Sequence, residues 1–309
     1  MTRVLPYLLV LLGVSAISFA LLHLIPGDPA QTLLGFEADQ QALDALRARW
    51  RLDAPLPVQY VAWLGNILHG DWGRSTSTGE PVLNLLLPSL AATLELATMA
   101  LLVSTTIAVP AAFLSASSPR STSAGVLSAT GLLLQSIPSF CLGTLLVLGF
   151  AIAVPILPAS GSGGPDASVV ERLSHLLLPT LTVAAGLAGG TMRQMRSAFR
   201  AVLDADFVRA ARARGMRSSA LFRRHVFPHA CVVLVTILGL QWGHLIGGVV
   251  VAETVFAWPG LGKLTVDAIF ARDYPLVLGA VLLSALTIQA LNLSTDVVCD
   301  WIDPRKRSS

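Results

Sequence analysis

At 309 residues, 54% of them hydrophobic and only 13% charged, with a mean hydropathy of +0.70, the chain is far more apolar than a soluble domain, in which about a quarter of residues are charged. The formal charge of +3 gives no reason to propose nucleic-acid binding, since the basic residues sit beside apolar spans, and Cys141, Cys231 and Cys299 all lie in apolar runs, which excludes a disulfide framework or a zinc spacing. An all-α polytopic membrane protein is what remains.

In chain order, Arg3 precedes the apolar run 4–25, long enough to cross a hydrocarbon core of about 30 Å at about 1.5 Å per residue. Further apolar runs follow, so 1–25 reads as an uncleaved first transmembrane helix rather than a signal peptide. Pro26-Gly27-Asp28-Pro29 ends it, because two prolines and a glycine cannot continue a helix. Residues 26–87 then read as a water-exposed helical insert. Within it, 40–51 has helical spacing (Leu43, Leu46, Trp50), 58–68 puts Val58, Val61, Leu64 and Leu68 on one face, and 70–79 is rich in turn formers.

Five more spans are predicted near 88–114, 124–154, 176–192, 230–252 and 276–295, six in all. Gln135 and Pro138 predict a kink in the third, and Gly186, Gly189 and Gly190 suit the fourth to close helix packing. The polar link 155–174 holds Ser162 between glycines, but Ser160 stands where a nucleophile elbow needs Gly, so the link reads as a loop.

Between the fourth and fifth spans lies 193–229, with nine arginines from Arg193 to Arg224. Charge alone would let this segment do no more than anchor a loop to anionic lipid and set topology. Its stop signals suggest more. Asp204 is placed to cap a first helix, Gly215 to stop it, Ser218 or Ser219 to cap a second, and Pro228 to turn the chain back toward the membrane. On the first helix Phe207, Ala210, Ala211 and Arg214 fall at i, i+3, i+4 and i+7, a face with one aromatic knob and two small residues, suited to entering a partner's groove. The two termini and this bracket hold most of the Lys and Arg, so all three are expected on the cytoplasmic side and the insert outside.

No energy source is evident within the chain. Pro259-Gly260-Leu261-Gly262-Lys263-Leu264 fails as a phosphate loop, because Ala257 stands where the first Gly belongs and Leu264 replaces the magnesium-binding Ser or Thr. His225 and His229 are i and i+4 but lack the acidic neighbour of a metal site, and no catalytic or metal-ligating set is expected. Of the ionisable groups in or near spans, Glu253 and Asp300 are expected to be solvated. Glu95 and His244, the better candidates for burial, either make structural polar contacts or, with Gln135, line the translocation path.

Arg209-Ala210-Ala211, Gly215 and His225-Val226-Phe227-Pro228 stand at the spacing of the cytoplasmic loop of ATP-binding-cassette importer permeases, which this chain resembles. Arg209, His225 and Phe227 depart from the general pattern in the direction of the peptide and nickel branch. The resemblance continues through 25–30, 57–60, 70–75, 92–96, 253–262, 271–275 and Asp303-Pro304-Arg305. It is specific to the first permease subunit of dipeptide, oligopeptide and nickel importers.

That resemblance implies the type I ABC importer permease fold, with a transmembrane type-1 domain over 88–300, a cytoplasmic coupling loop over 193–229 and a cytoplasmic tail over 301–309. It implies coupling to an ATPase through Phe207, Arg209, Ala210, Ala211, Arg214, Gly215, His225 and Pro228. It further implies a bacterial inner-membrane location, a homologous second permease, two ATP-binding subunits that carry ATP and magnesium, and an extracytoplasmic solute-binding protein, this chain itself being no enzyme and binding no cofactor. Small peptides are the expected cargo, with nickel or a metal chelate as the alternative. A stand-alone secondary transporter or channel, or a membrane-embedded hydrolase, would need an inverted repeat or a nucleophile that the sequence does not display.

Overall fold

A computed structural model describes residues 4–24, 40–41, 54–164 and 166–302. Regular structure among these residues is helical apart from a single β-bridge between Arg74 and Pro81. Helix α1 spans Val4–Leu24, α2 Leu56–Leu68 and α3 Val82–Ser117. Helix α4 spans Thr122–Ser136, and α5, Ser139–Val147, runs on into a widened π turn at Leu148–Ala153. Next come α6 at Val169–Leu203, α7 at Asp206–Ala213 and α8 at Ser218–Leu221. A second π turn, Phe222–Val226, leads into α9, Phe227–Gly248. The short α10 at Val250–Val255, α11 at Leu261–Phe270 and the long α12 at Tyr274–Ile302 complete the series. The helix expected over 40–51 lies outside the described residues apart from Gln40 and Gln41.

Four stretches are long and apolar enough to cross a membrane: α3, α6, the continuous run Ser218–Gly248, and 274–301 of α12. The pair α4 and α5 makes a fifth if its two arms form one span, and α1 carries a shorter apolar stretch, Leu5–Ala20. Leucine, isoleucine and valine side chains lie open along these helices, among them Leu102, Ile107, Leu132, Leu145 and Val297, as lipid-facing surfaces require. The kink expected at Pro138 is a full break, the two arms meeting at 98°. Pro138 has no N–H to continue the ladder, and its ring holds Ile137 in extended conformation (φ −77°, ψ 124°). Helix α6 begins earlier than the apolar pattern suggests because Ser168 caps it, accepting from Glu171 N at 3.2 Å.

The chain divides into two compact units. Unit 1 joins residues 1–91 to 260–289. In it Phe19 of α1 packs on Tyr60 and Trp63 of α2, and Ser15 Oγ shares a 2.8 Å hydrogen bond with Tyr60 Oη. Val82 and Leu86 meet Leu276, Val277 and Ala280 in one core, where a methyl group at Gly279 would press on Val82 and Leu86. Unit 2 joins 92–259 to 290–309 and has two cores. One gathers Leu96, Leu176, Leu178, Leu245, Phe256 and Trp258. The other gathers the alanine ridge Ala108, Ala112 and Ala116 of α3 with Phe199, Leu221, Val226 and Ala230. Glycine lets helices touch backbone to backbone here: Gly189 of α6 abuts Gly131 of α4, and Gly239 and Gly243 of α9 abut Thr295 and Asn292 of α12.

Candidate functional site

The basic segment 193–229 has the helices the sequence suggests, but different residues end them. Asp204 does not start α7; it closes α6, its N–H bonded to Arg200 O at 3.0 Å. The break comes one residue later at Ala205 (φ −72°, ψ 145°), which offers no side-chain cap. Asp206 lies in the first turn, where the helix dipole favours a carboxylate, and stands 3.7 Å from Arg209. Both are exposed, so that pair adds little stability. Gly215 ends α7 as expected, adopting φ +80°.

Neither Ser218 nor Ser219 caps α8; Arg217 occupies the cap position without a side-chain bond. Pro228 turns nothing back, because the helix runs unbroken from Ser218 to Gly248. The π turn at Phe222–Val226 explains the tolerance. Widening of the ladder immediately before Pro228 relieves the clash and the missing donor that a proline brings to a regular helix.

The face expected to carry Phe207, Ala210, Ala211 and Arg214 together is divided. Ala211, with Val208, is wholly covered by the core of Phe199, Leu221, Val226 and Ala230, and so roots α7 in unit 2. Phe207, Arg209, Ala210, Arg214 and Gly215 are exposed. The ring of Phe207 lies 4.9 Å from that of His229 and 6.3 Å from that of His225. His229 Nδ1 is in turn 2.7 Å from His225 O. An aromatic knob therefore stands on two imidazoles, with Ala210 beside it leaving room for a partner's backbone to approach.

Among the path candidates, Gln135 and His244 are exposed and Glu95 is partly so. Glu95 accepts a forked pair from Arg172, whose Nε donates to Oε1 at 2.9 Å and whose Nη2 donates to Oε2 at 2.5 Å. The same guanidinium lies 5.6 Å over the ring of the fully buried Trp258, whose Nε1 donates to Ala92 O at 2.9 Å. These contacts agree with the structural reading of Glu95. Glu253, expected to be solvated, is instead fully buried and accepts from Thr93 Oγ1 at 2.5 Å. A hydroxyl donor offsets the cost of that burial, which no hydropathy pattern reveals.

In unit 1, Asp273 is the polar centre that the sequence does not single out. Its Oδ2 accepts from Ser75 Oγ, Ser77 Oγ and Ser77 N, and its Oδ1 caps α12 through Leu276 N. Burial pushes the carboxyl upward, but the donors, Ser75 Oγ foremost, outweigh it and hold the group below the ordinary carboxylate value. The clue was present in 70–75 and 271–275, both within the noted resemblance, although nothing in either stretch says that they meet. Among the described residues no group of three His, Cys, Asp or Glu side chains could hold a metal ion.

Residues 108–308 match the family described as binding-protein-dependent transport system inner membrane component, and residues 1–97 match the N-terminal family of such membrane components. The probable peptide ABC transporter permease protein y4tP of Sinorhizobium fredii is 36% identical over 94% of this chain and 92% of its own. The oligopeptide transport system permease protein AppB of Bacillus subtilis is 33% identical over 96% of this chain and 95% of its own. The glutathione transport system permease protein GsiC of Salmonella typhimurium is 37% identical over 99% of this chain and 97% of its own. The inward-facing MetNI methionine ABC transporter shares the fold, with a TM-score of 0.60 over 72% of this chain and 99% of that one at 19% identity.

Proposed function

Because this chain belongs to the family of binding-protein-dependent transport system inner membrane components, we propose that it forms half of a path for small peptides, opened by ATPase subunits that grip its basic segment. It is a multi-pass inner-membrane permease of an ATP-driven importer, in a family whose ATP hydrolysis lies in separate subunits. Peptide cargo is favoured by relatives named for peptides, oligopeptides and glutathione. The remaining parts of the proposed assembly are a homologous second permease, two ATP-binding subunits carrying ATP and magnesium, and an extracytoplasmic binding protein. In this arrangement both termini and 193–229 face the cytoplasm, and 26–87 faces outward.

The observation that carries the coupling role is the exposed edge of α7, where Phe207, propped on His229, stands beside Ala210 and Arg214. A short helix rooted by Val208 and Ala211 with an open aromatic knob is a graspable handle. Phe207→Ala should reduce peptide uptake at least tenfold while ATP hydrolysis by the purified complex continues and membrane abundance is unchanged. Ala211→Trp should instead lower abundance, because the indole has no space in the core. Normal uptake by Phe207→Ala at normal abundance would sink the coupling role, whereas loss of uptake for every peptide tried in the unaltered complex would sink the cargo.

A further inference from the structure

The turn joining α3 to α4 and the last turns of α6 border an open cleft of about 550 Å³ lined by Ser118, Pro119, Arg120, Ser121, Arg196 and Arg200. Three arginines, Arg120 and Arg200 exposed and Arg196 half-buried, line one space with no carboxylate in its lining, and none of the three pairs with a carboxylate among the described residues. Arginine does not shed its charge, so neutralisation by proton loss is closed to this cluster. Arg196 is restrained as well, because its Nη1 donates to Ser128 Oγ. That bond leaves Nε and Nη2 without a partner among the described residues. An anion entering the cleft would meet three positive charges that no carboxylate offsets.

The planar forks of several arginines match the paired oxygens of a phosphate better than they match a spherical ion. The surroundings narrow the source. Leu114 of α3 and Val126 of α4, on either side of the turn, are 61% and 59% exposed; α3 has the character of a membrane span, and α4 has it together with α5. A cationic cleft at the end of such helices is the pattern of a phospholipid with its headgroup at the arginines and its acyl chains along the helices. We propose that Arg120, Arg196 and Arg200 form a binding site for the phosphate group of an anionic ligand, either a lipid headgroup or free phosphate.

The test uses the purified transporter, with its partner subunits, in phosphatidylcholine nanodiscs at fixed ionic strength. Phosphatidylglycerol and inorganic phosphate are titrated separately and binding is followed by thermal stabilisation. Saturable binding of either probe is expected, weakened about tenfold by Arg200→Gln and again by Arg120→Gln, as loss of a charge-assisted hydrogen bond entails. Arg193→Gln removes one charge from the same helix outside the cleft and should leave binding unchanged. A response to phosphatidylglycerol alone identifies a lipid; a response to phosphate as well identifies a soluble ligand. Both support the site. The proposal is overturned if neither probe stabilises the complex, or if Arg193→Gln weakens binding as much as Arg200→Gln does.

Discussion

Asp273 shows how much one side chain can organise. A buried carboxylate without donors would cost several kcal/mol, yet Ser75 and Ser77 from 198 and 196 residues away in sequence turn it into a clasp that also caps α12. Removing the Ser75 hydroxyl should cost about 2 kcal/mol, since a hydrogen bond to a charged group is lost from a buried site. The pH dependence follows from the lowered value of the carboxyl. Its stabilisation is complete above the unfolded-state value of about 3.9 and is lost as pH falls through the lower folded-state value. Ser75→Ala should therefore lower the thermal midpoint at neutral pH and approach the unaltered protein in strong acid. An equal deficit at every pH would show that the ionised form of Asp273 is not what the hydroxyl stabilises.

At the level of helices, tight packing rather than hydrophobicity sets the tolerances. Gly239 and Gly243 lie one turn apart on α9 and admit Thr295 and Asn292 of α12 where any Cβ would collide. Gly239→Val should destabilise the protein by about 1–3 kcal/mol or more through overpacking, read as a lower thermal midpoint in detergent. Gly247→Ala, on the same helix with nothing within 4 Å of an added carbon, serves as the matched substitution that leaves the midpoint in place. Sequence reasoning found the long apolar helices and the Pro138 break because apolar runs and proline act locally, and it passed over α11. It misplaced the ends of α7 and α8 because Asp204, Ser218 and Pro228 are cap or stop types whose use depends on where the preceding helix frays and where a π turn absorbs a proline. It missed the Glu95 to Arg172 fork and the burial of Glu253 because their partners lie 77 and 160 residues away. The inward turn of Ala211 was likewise invisible, since helical spacing identifies a face without saying what covers it.

For the whole molecule, the proposed orientation has a direct check. Cysteines introduced at Arg212 and at Glu80, both exposed, should be labelled by an impermeant thiol reagent from opposite sides, Glu80→Cys in intact cells and Arg212→Cys only after permeabilisation. Labelling of both from the same side would reverse the topology argument. One feature of the basic segment also bears on how force would travel. The stretch Ser218–Gly248 is a single rod of 31 residues, about 46 Å long, that begins beside the handle and continues as a membrane-crossing helix. Only the four-residue turn 214–217 separates the handle from that shaft, so little slack remains to be taken up: a shove at the inner end would arrive as a tilt of the shaft, with the widened turn near its start as the place where such a lever would flex.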